Sequence, residues 1–96
     1  MDSAAGGWYI EGVAYTIELK PRAVKDLRKI SREHGARIAD ALEGLSDGFK
    51  GDVKRLTNFT PEYRLRVGEH RVLFEIENSR RIVVYRIRHR RDAYKT

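Results

Sequence analysis

Cysteine is absent from the 96 residues, and with it go disulfide staples, thiolate metal sites and cysteine nucleophiles; the absence suits a reducing cytoplasm. Proline occurs only twice, and no apolar run approaches the roughly 18–20 residues that span a bilayer. Residues 1–12 lack the basic start and apolar block of a signal peptide, so a cytoplasmic location is expected. Familiar catalytic motifs are missing as well: there is no glycine-rich phosphate loop, no HExxH and no GxSxG. His34, His70 and His89 are spaced in a way that does not suggest a metal site, and the last third holds too few carboxylates for two-metal chemistry. Neither metal nor cofactor is expected.

What the chain does have is positive charge, unevenly placed. Residues 1–60 carry ten Lys/Arg against nine Asp/Glu, whereas residues 61–96 carry ten against five, so the net +6 lies almost wholly in the last third. From Arg80 to Lys95 the basic residues are Arg80, Arg81, Arg86, Arg88, Arg90, Arg91 and Lys95, opposed only by Asp92. Arginine offers a planar fork of donors that matches a phosphate. Charge alone leaves three occupants open: nucleic acid, an acidic protein, or solvent.

The length allows one domain with a single modest core. Residues 1–12 are small and glycine-containing and read as an extension, with the domain over 13–96. Tyr15–Leu19 alternates, with Tyr15, Ile17 and Leu19 on one side, as a half-buried strand does. Pro21 suits the first turn of a helix, and Ala23, Val24, Leu27 and Ile30 continue it to about Ser31. A second helix is predicted from about Ala36 with Ile38, Ala41, Leu42 and Leu45 on one face, Gly35 marking the break and Gly48 the exit. Lys54–Phe59 is compatible with an extended segment, and Thr60-Pro61-Glu62 with a turn or strand entry.

Three strands follow: Tyr63–Val67, His70–Glu77 and Ile82–Arg88, joined by turns at Gly68-Glu69 and Asn78-Ser79. The order β-α-α-β-β-β predicts an α+β domain with a helical hairpin on one face of an antiparallel sheet. Arg64, Arg66 and Arg71 alternate away from the core and should converge on the bare face. Strict alternation in the last strand groups Val83, Tyr85, Ile87 and His89 on one side, and Arg86 and Arg88 with Ile82 and Val84 on the other.

An arginine-rich face with His70, His89, Tyr85 and Tyr94 near it can support one kind of chemistry without a metal. In RNA the ribose 2′-hydroxyl is itself a nucleophile. A protein need only align it with the scissile phosphate, neutralise charge on the phosphoryl oxygens and move two protons.

The segments "AYTIELKPRAVKDLRKI", "YRLRVGEHRVLFEI" and "VVYRIRHRRDAYK" together resemble the RelE/ParE toxin superfamily from about Ala14 to the end, and the ending His-Arg-Arg-Asp-x-Tyr resembles its RelE branch. The resemblance implies the toxin of a type II toxin–antitoxin system: a ribosome-dependent mRNA endoribonuclease that works by 2′-hydroxyl attack without metal and is restrained by a cognate antitoxin protein. Its partners would be that antitoxin, the ribosome and mRNA. Residue by residue, it implies that Arg64 and Arg66 approach the scissile phosphate, Arg71 stabilises transition-state charge, Arg90 serves the leaving 5′-oxygen, and Tyr94 stacks on or orients a base. Many relatives have lysine where Arg64 and Arg66 stand, and a guanidinium is a poor proton acceptor.

His89 exchanges protons near neutrality as histidines do, and is a candidate for proton transfer; alternation equally places it against the apolar side. Arg86, Arg88, Arg91 and Lys95 are the candidate RNA contacts. Arg71 has a plainer alternative in an ion pair with Glu75 or Glu77, and His34 and His70 read as surface residues. Two other functions fit the same composition: a non-enzymatic ParE-like gyrase poison, and a basic RNA-binding domain.

Overall fold

The computed structural model describes residues 8–94; Lys95, a candidate RNA contact, lies outside the described residues. Eight elements follow one another: β1 (Trp8–Glu11), β2 (Thr16–Leu19), α1 (Pro21–Arg28), α2 (Arg32–Gly48), β3 (Asp52–Arg55), β4 (Tyr63–Val67), β5 (His70–Asn78) and β6 (Arg81–His89). They build one six-stranded sheet in the order β1-β2-β6-β5-β4-β3, and the predicted β-α-α-β-β-β order is embedded in it.

Two expectations are corrected. The sheet is mixed rather than antiparallel, because β2 runs parallel to β6, Ile17 lying beside Ile82 and Leu19 beside Val84. The unbroken apolar run Ile82-Val83-Val84 suits this interior place between β2 and β5, where all three are fully buried. In addition, part of the predicted extension is structured. Trp8–Glu11 pair antiparallel with β2, and the turn that follows is clasped to α2: Ala14 N–H and Tyr15 N–H both donate to Ser46 O, at 3.0 and 2.9 Å. Gly12 packs so closely there that a Cβ would stand 2.4 Å from Ser46 O. Only Ile10 of the four β1 side chains is half-buried, so no alternation marks the strand in sequence.

The break between helices falls earlier than predicted. Ser31 caps α2, its hydroxyl accepting from His34 N–H at 3.3 Å, and Gly35 becomes part of the first turn. A side-chain acceptor for an orphan N–H outweighs the modest cost of glycine near a helix end. At the other end Phe49, not a glycine, takes the left-handed cap at φ 58°, and its ring packs against Tyr15 and Phe74. Aromatic packing there offsets the roughly 1–2 kcal/mol such a conformation costs an L-residue.

Both helices cover one face. Ala23 and Val24 of α1 and Ile38, Leu42 and Leu45 of α2 meet Ile17, Leu19, Leu65, Val72, Phe74, Ile82, Val84 and Ile87. Strict alternation fails once in β6. Leu73 pairs with Arg86 but Phe74 with Val84, which leaves Tyr85 as an extra residue at a bulge. The helix-facing side of β6 is therefore Ile82 and Val84 before the bulge and Ile87 after it, and Val83 turns to the other face. His89 keeps step with Ile87, as alternation from that point requires.

Candidate functional site

The face that the helices leave bare carries the basic residues. Strand β4 presents Arg64 and Arg66 between its core residues Tyr63, Leu65 and Val67, and Arg71 pairs with Arg66 across the β4–β5 ladder. Beyond β6 the chain turns back over this face: Arg90 N–H donates to Glu69 O at 2.7 Å, Asp92 N–H to His89 O at 2.8 Å, and Ala93 is buried. The result is an open cleft of about 530 Å³ whose walls include Arg64, Arg66 and Arg71 from the sheet and Arg90, Arg91 and Tyr94 from the tail. Lys54 and Leu56, at the end of β3, complete it.

The cleft's arginines are held unequally. Arg64 is mostly buried, and its Nη1 donates to Asp52 O at 2.8 Å and Asp52 Oδ1 at 3.2 Å. The guanidinium of Arg71 does not reach Glu75 or Glu77, the alternative considered above. Its Nη1 donates instead to Gly68 O and His70 O, both at 3.0 Å. Gly68, at φ +59°, makes the tight turn that aims those carbonyls. Arg66, Arg90 and Arg91 are exposed. Several permanently charged guanidiniums in one concavity form a site that a phosphodiester backbone fits.

The remaining candidates lie elsewhere. Arg86 is pinned to α1: its Nε and Nη2 donate to Asp26 Oδ2 and Oδ1 at 2.8 and 3.1 Å, and Asp26 Oδ2 also accepts Ile87 N–H at 2.9 Å. The Asp26 bonds raise the Arg86 pKa above its ordinary value. Arg88, opposite Arg71 on β6, is half-buried and is not a wall of the cleft. His89 stands on the helix side with both ring nitrogens in use, Nδ1 accepting Arg91 N–H at 3.2 Å and Nε2 lying 3.1 Å from Glu69 Oε1. Through these two contacts the ring ties the end of β6 to the β4–β5 turn and to the tail.

The three histidines, far apart in sequence, touch in a row: His34 to His70 at 5.5 Å and His70 to His89 at 5.7 Å between ring centres. They line no metal-binding group among the described residues. Partial burial, followed by His34 and His89 beside it, pushes the His70 pKa below the usual range. The bond to His89, followed by the charge of Arg90, holds the exposed Glu69 carboxyl below its own.

Sequence reasoning missed Lys54, Leu56 and Phe59. Phe59 meets Tyr94 edge-on at 5.5 Å between ring centres. The available signal was a lone aromatic in the polar stretch Thr57–Pro61, where no core position calls for one.

A mixed sheet with helices on one face and an arginine cleft on the other defines a small basic α+β domain, and comparison with known proteins supplies its family. Residues 17–94 match the family model described as the ParE toxin of type II toxin–antitoxin systems. A putative toxin RelE1 of Methanocaldococcus jannaschii is 30% identical over 86 residues, covering 84% of this chain and 96% of the relative. Among solved structures, the RelB–RelE antitoxin–toxin complex from Methanococcus jannaschii matches at TM-score 0.66 and 26% identity, over 79% of this chain and 93% of that one. The toxin–antitoxin complex RelBE2 of Mycobacterium tuberculosis shares the fold at TM-score 0.64 and 23% identity, over 80% of this chain and 99% of that one. The chain belongs to the RelE/ParE superfamily of type II toxin–antitoxin toxins. No helix among the described residues is long and apolar enough to cross a membrane.

Proposed function

We propose that this toxin is an mRNA endoribonuclease of the RelE kind, acting on the ribosome and held in check by a cognate antitoxin. The observation that carries the reading is the convergence of Arg64, Arg66, Arg71, Arg90 and Tyr94, drawn from two strands and the tail, in one cleft. In the proposed reaction the ribose 2′-oxygen attacks the adjacent phosphorus, the bond to the 5′-oxygen breaks, and the products are a 2′,3′-cyclic phosphate and a 5′-hydroxyl. Arg64 and Arg66 hold the phosphate, and Arg71, fixed by the turn carbonyls, faces charge growing on the phosphoryl oxygens. Arg90 serves the leaving oxygen and Tyr94 orients a neighbouring base. Proton exchange falls to groups other than guanidinium, and the cleft offers Lys54 and the Tyr94 phenol for it. An antitoxin with acidic residues would compete with phosphate for the same arginines, in keeping with relatives solved as toxin–antitoxin complexes.

The test is induced expression with mapping of message ends, alongside a purified translation system. Cuts inside translated codons are expected. Arg71→Ala and Arg90→Ala should each slow cutting by about 100-fold or more without loss of fold. Tyr94→Phe should retain more activity than Tyr94→Ala if stacking is its role. The match to the ParE family model favours a second reading, a gyrase poison; intact messages together with inhibited supercoiling would establish it in place of the first.

A further inference from the structure

The arginine cleft does not end at Tyr94. Leu56 and Tyr94 are shared between it and an adjoining hollow of about 210 Å³ that Thr57 and Phe59 complete. Leu56, Thr57 and Phe59 are shared in turn with a third hollow of about 530 Å³, walled by Arg55, the β3–β4 loop, Glu62 and Glu75. Glu75 pairs with Val83 on the face that carries Arg71 and Leu73, so the three hollows form one groove on one side of the sheet.

The chemistry changes along its length. The near end is arginine-rich and suits phosphates. The far end pairs an aromatic wall, Phe59, with the carboxylates of Glu62 and Glu75 and with Arg55, which is ion-paired to Glu62, so it is less basic than the near end and offers acceptors to hydrogen-bond donors. Those carboxylates are held in place. Glu75 Oε2 accepts Glu62 N–H at 2.9 Å, and Glu62 Oε2 accepts Arg55 Nε at 2.5 Å. A carboxylate has about four acceptor sites, so each retains capacity after these bonds.

Resting on the reading of the cleft as an RNA-cutting site, we infer that the far end is a nucleobase pocket for a residue flanking the scissile phosphate. It takes a base with an amino group on its pairing edge in preference to uracil. The base lies against Phe59 beside Tyr94 and gives its amino hydrogens to Glu75 or Glu62. Guanine, adenine and cytosine all offer such hydrogens. Uracil's one donor, N3–H, stands between two carbonyl oxygens, so where the other bases give an amino hydrogen uracil sets an acceptor against the carboxylate.

The experiment is sequencing of cut sites in a message library with randomised codons, translated with the intact toxin. The wild type should disfavour uracil at one position next to the cut by at least roughly tenfold, the value of a well-made base contact. Glu75→Gln, which keeps an acceptor for Glu62 N–H and adds a donor, should shift that position toward uracil. Phe59→Ala should weaken selection at the same position, and Phe59→Leu, which keeps bulk in the loop, provides the folded control if the alanine variant is unstable. Arg71→Ala should lower the rate everywhere and leave the preference unchanged. Cutting without base preference, or a preference that neither Glu75→Gln nor the Phe59 variants move, overturns the pocket while leaving the nuclease reading intact. Failure of the wild type to cut at all overturns both.

Discussion

Asp26 is the residue whose replacement distinguishes most sharply between two roles for β6. Its carboxylate receives two bonds from Arg86, at 2.8 and 3.1 Å, and one from Ile87 N–H at 2.9 Å, where β6 has run past the end of β2 and would otherwise lack a partner on that side. The side chains of Arg86 and Asp26 are 27% and 15% exposed, so the pair is neither a free surface bridge nor a dry one. Exposed pairs contribute about 0–1 kcal/mol, whereas breaking a fully buried one costs about 3–5 kcal/mol. An intermediate value of about 2 kcal/mol suits this degree of burial, and stranding Ile87 N–H adds about 1 kcal/mol. Asp26→Ala should therefore cost about 3 kcal/mol, which for a domain of this size lowers Tm by roughly 12–24 °C.

Arg86→Met leaves Asp26 bonded to Ile87 N–H and should cost less, about 1–2 kcal/mol, with a coupling of about 1 kcal/mol in the double-mutant cycle. Urea unfolding followed by circular dichroism measures all three variants. Stability unchanged within about 0.5 kcal/mol in Arg86→Met, together with weakened RNA binding, would refute the structural role and return Arg86 to the phosphate contacts.

His89→Asn, which can keep an acceptor where Nδ1 stands, should retain cleavage within about fivefold. His89→Ala should lose about tenfold by releasing the tail, with an unaltered pH–rate profile; a loss of roughly 100-fold in the asparagine variant at unchanged Tm would instead make His89 a proton carrier. His70 has a folded-state pKa below its unfolded value, so its contribution to stability is complete above about pH 6.5 and falls away as the pH drops below that. Urea midpoints at pH 7.5 and 5.5 should differ less in His70→Gln than in the wild type, and equal differences would contradict the assignment. Gly12→Ala must push the chain away from Ser46 O and should destabilise by about 1–3 kcal/mol, whereas a true extension would tolerate it within about 0.5 kcal/mol.

The alternation of Tyr63–Val67 and His70–Glu77 was legible in the sequence because one face of each strand is apolar and the other mostly charged, and side-chain period alone then assigns Arg64, Arg66 and Arg71 to the face the helices leave bare. The charge imbalance of the last third and the His-Arg-Arg-Asp-x-Tyr ending pointed to the same side of the molecule and to the family. Strand β1 was invisible because three of its four side chains are exposed, so backbone hydrogen bonds to β2 hold it without leaving a pattern. The parallel β2–β6 pairing joins segments more than sixty residues apart, and no local signal encodes such a meeting. The bulge at Tyr85 changed which β6 residues share a face, and only the register with β5 could reveal it. The same long-range geometry brought Arg86 to Asp26, sixty residues away. It also set both His89 nitrogens against partners, Arg91 N–H and Glu69, and placed Phe59 beside Tyr94. Periodicity fixes the direction in which a side chain leaves its own strand; what it meets there depends on chain segments whose approach is set by the packing of the whole domain.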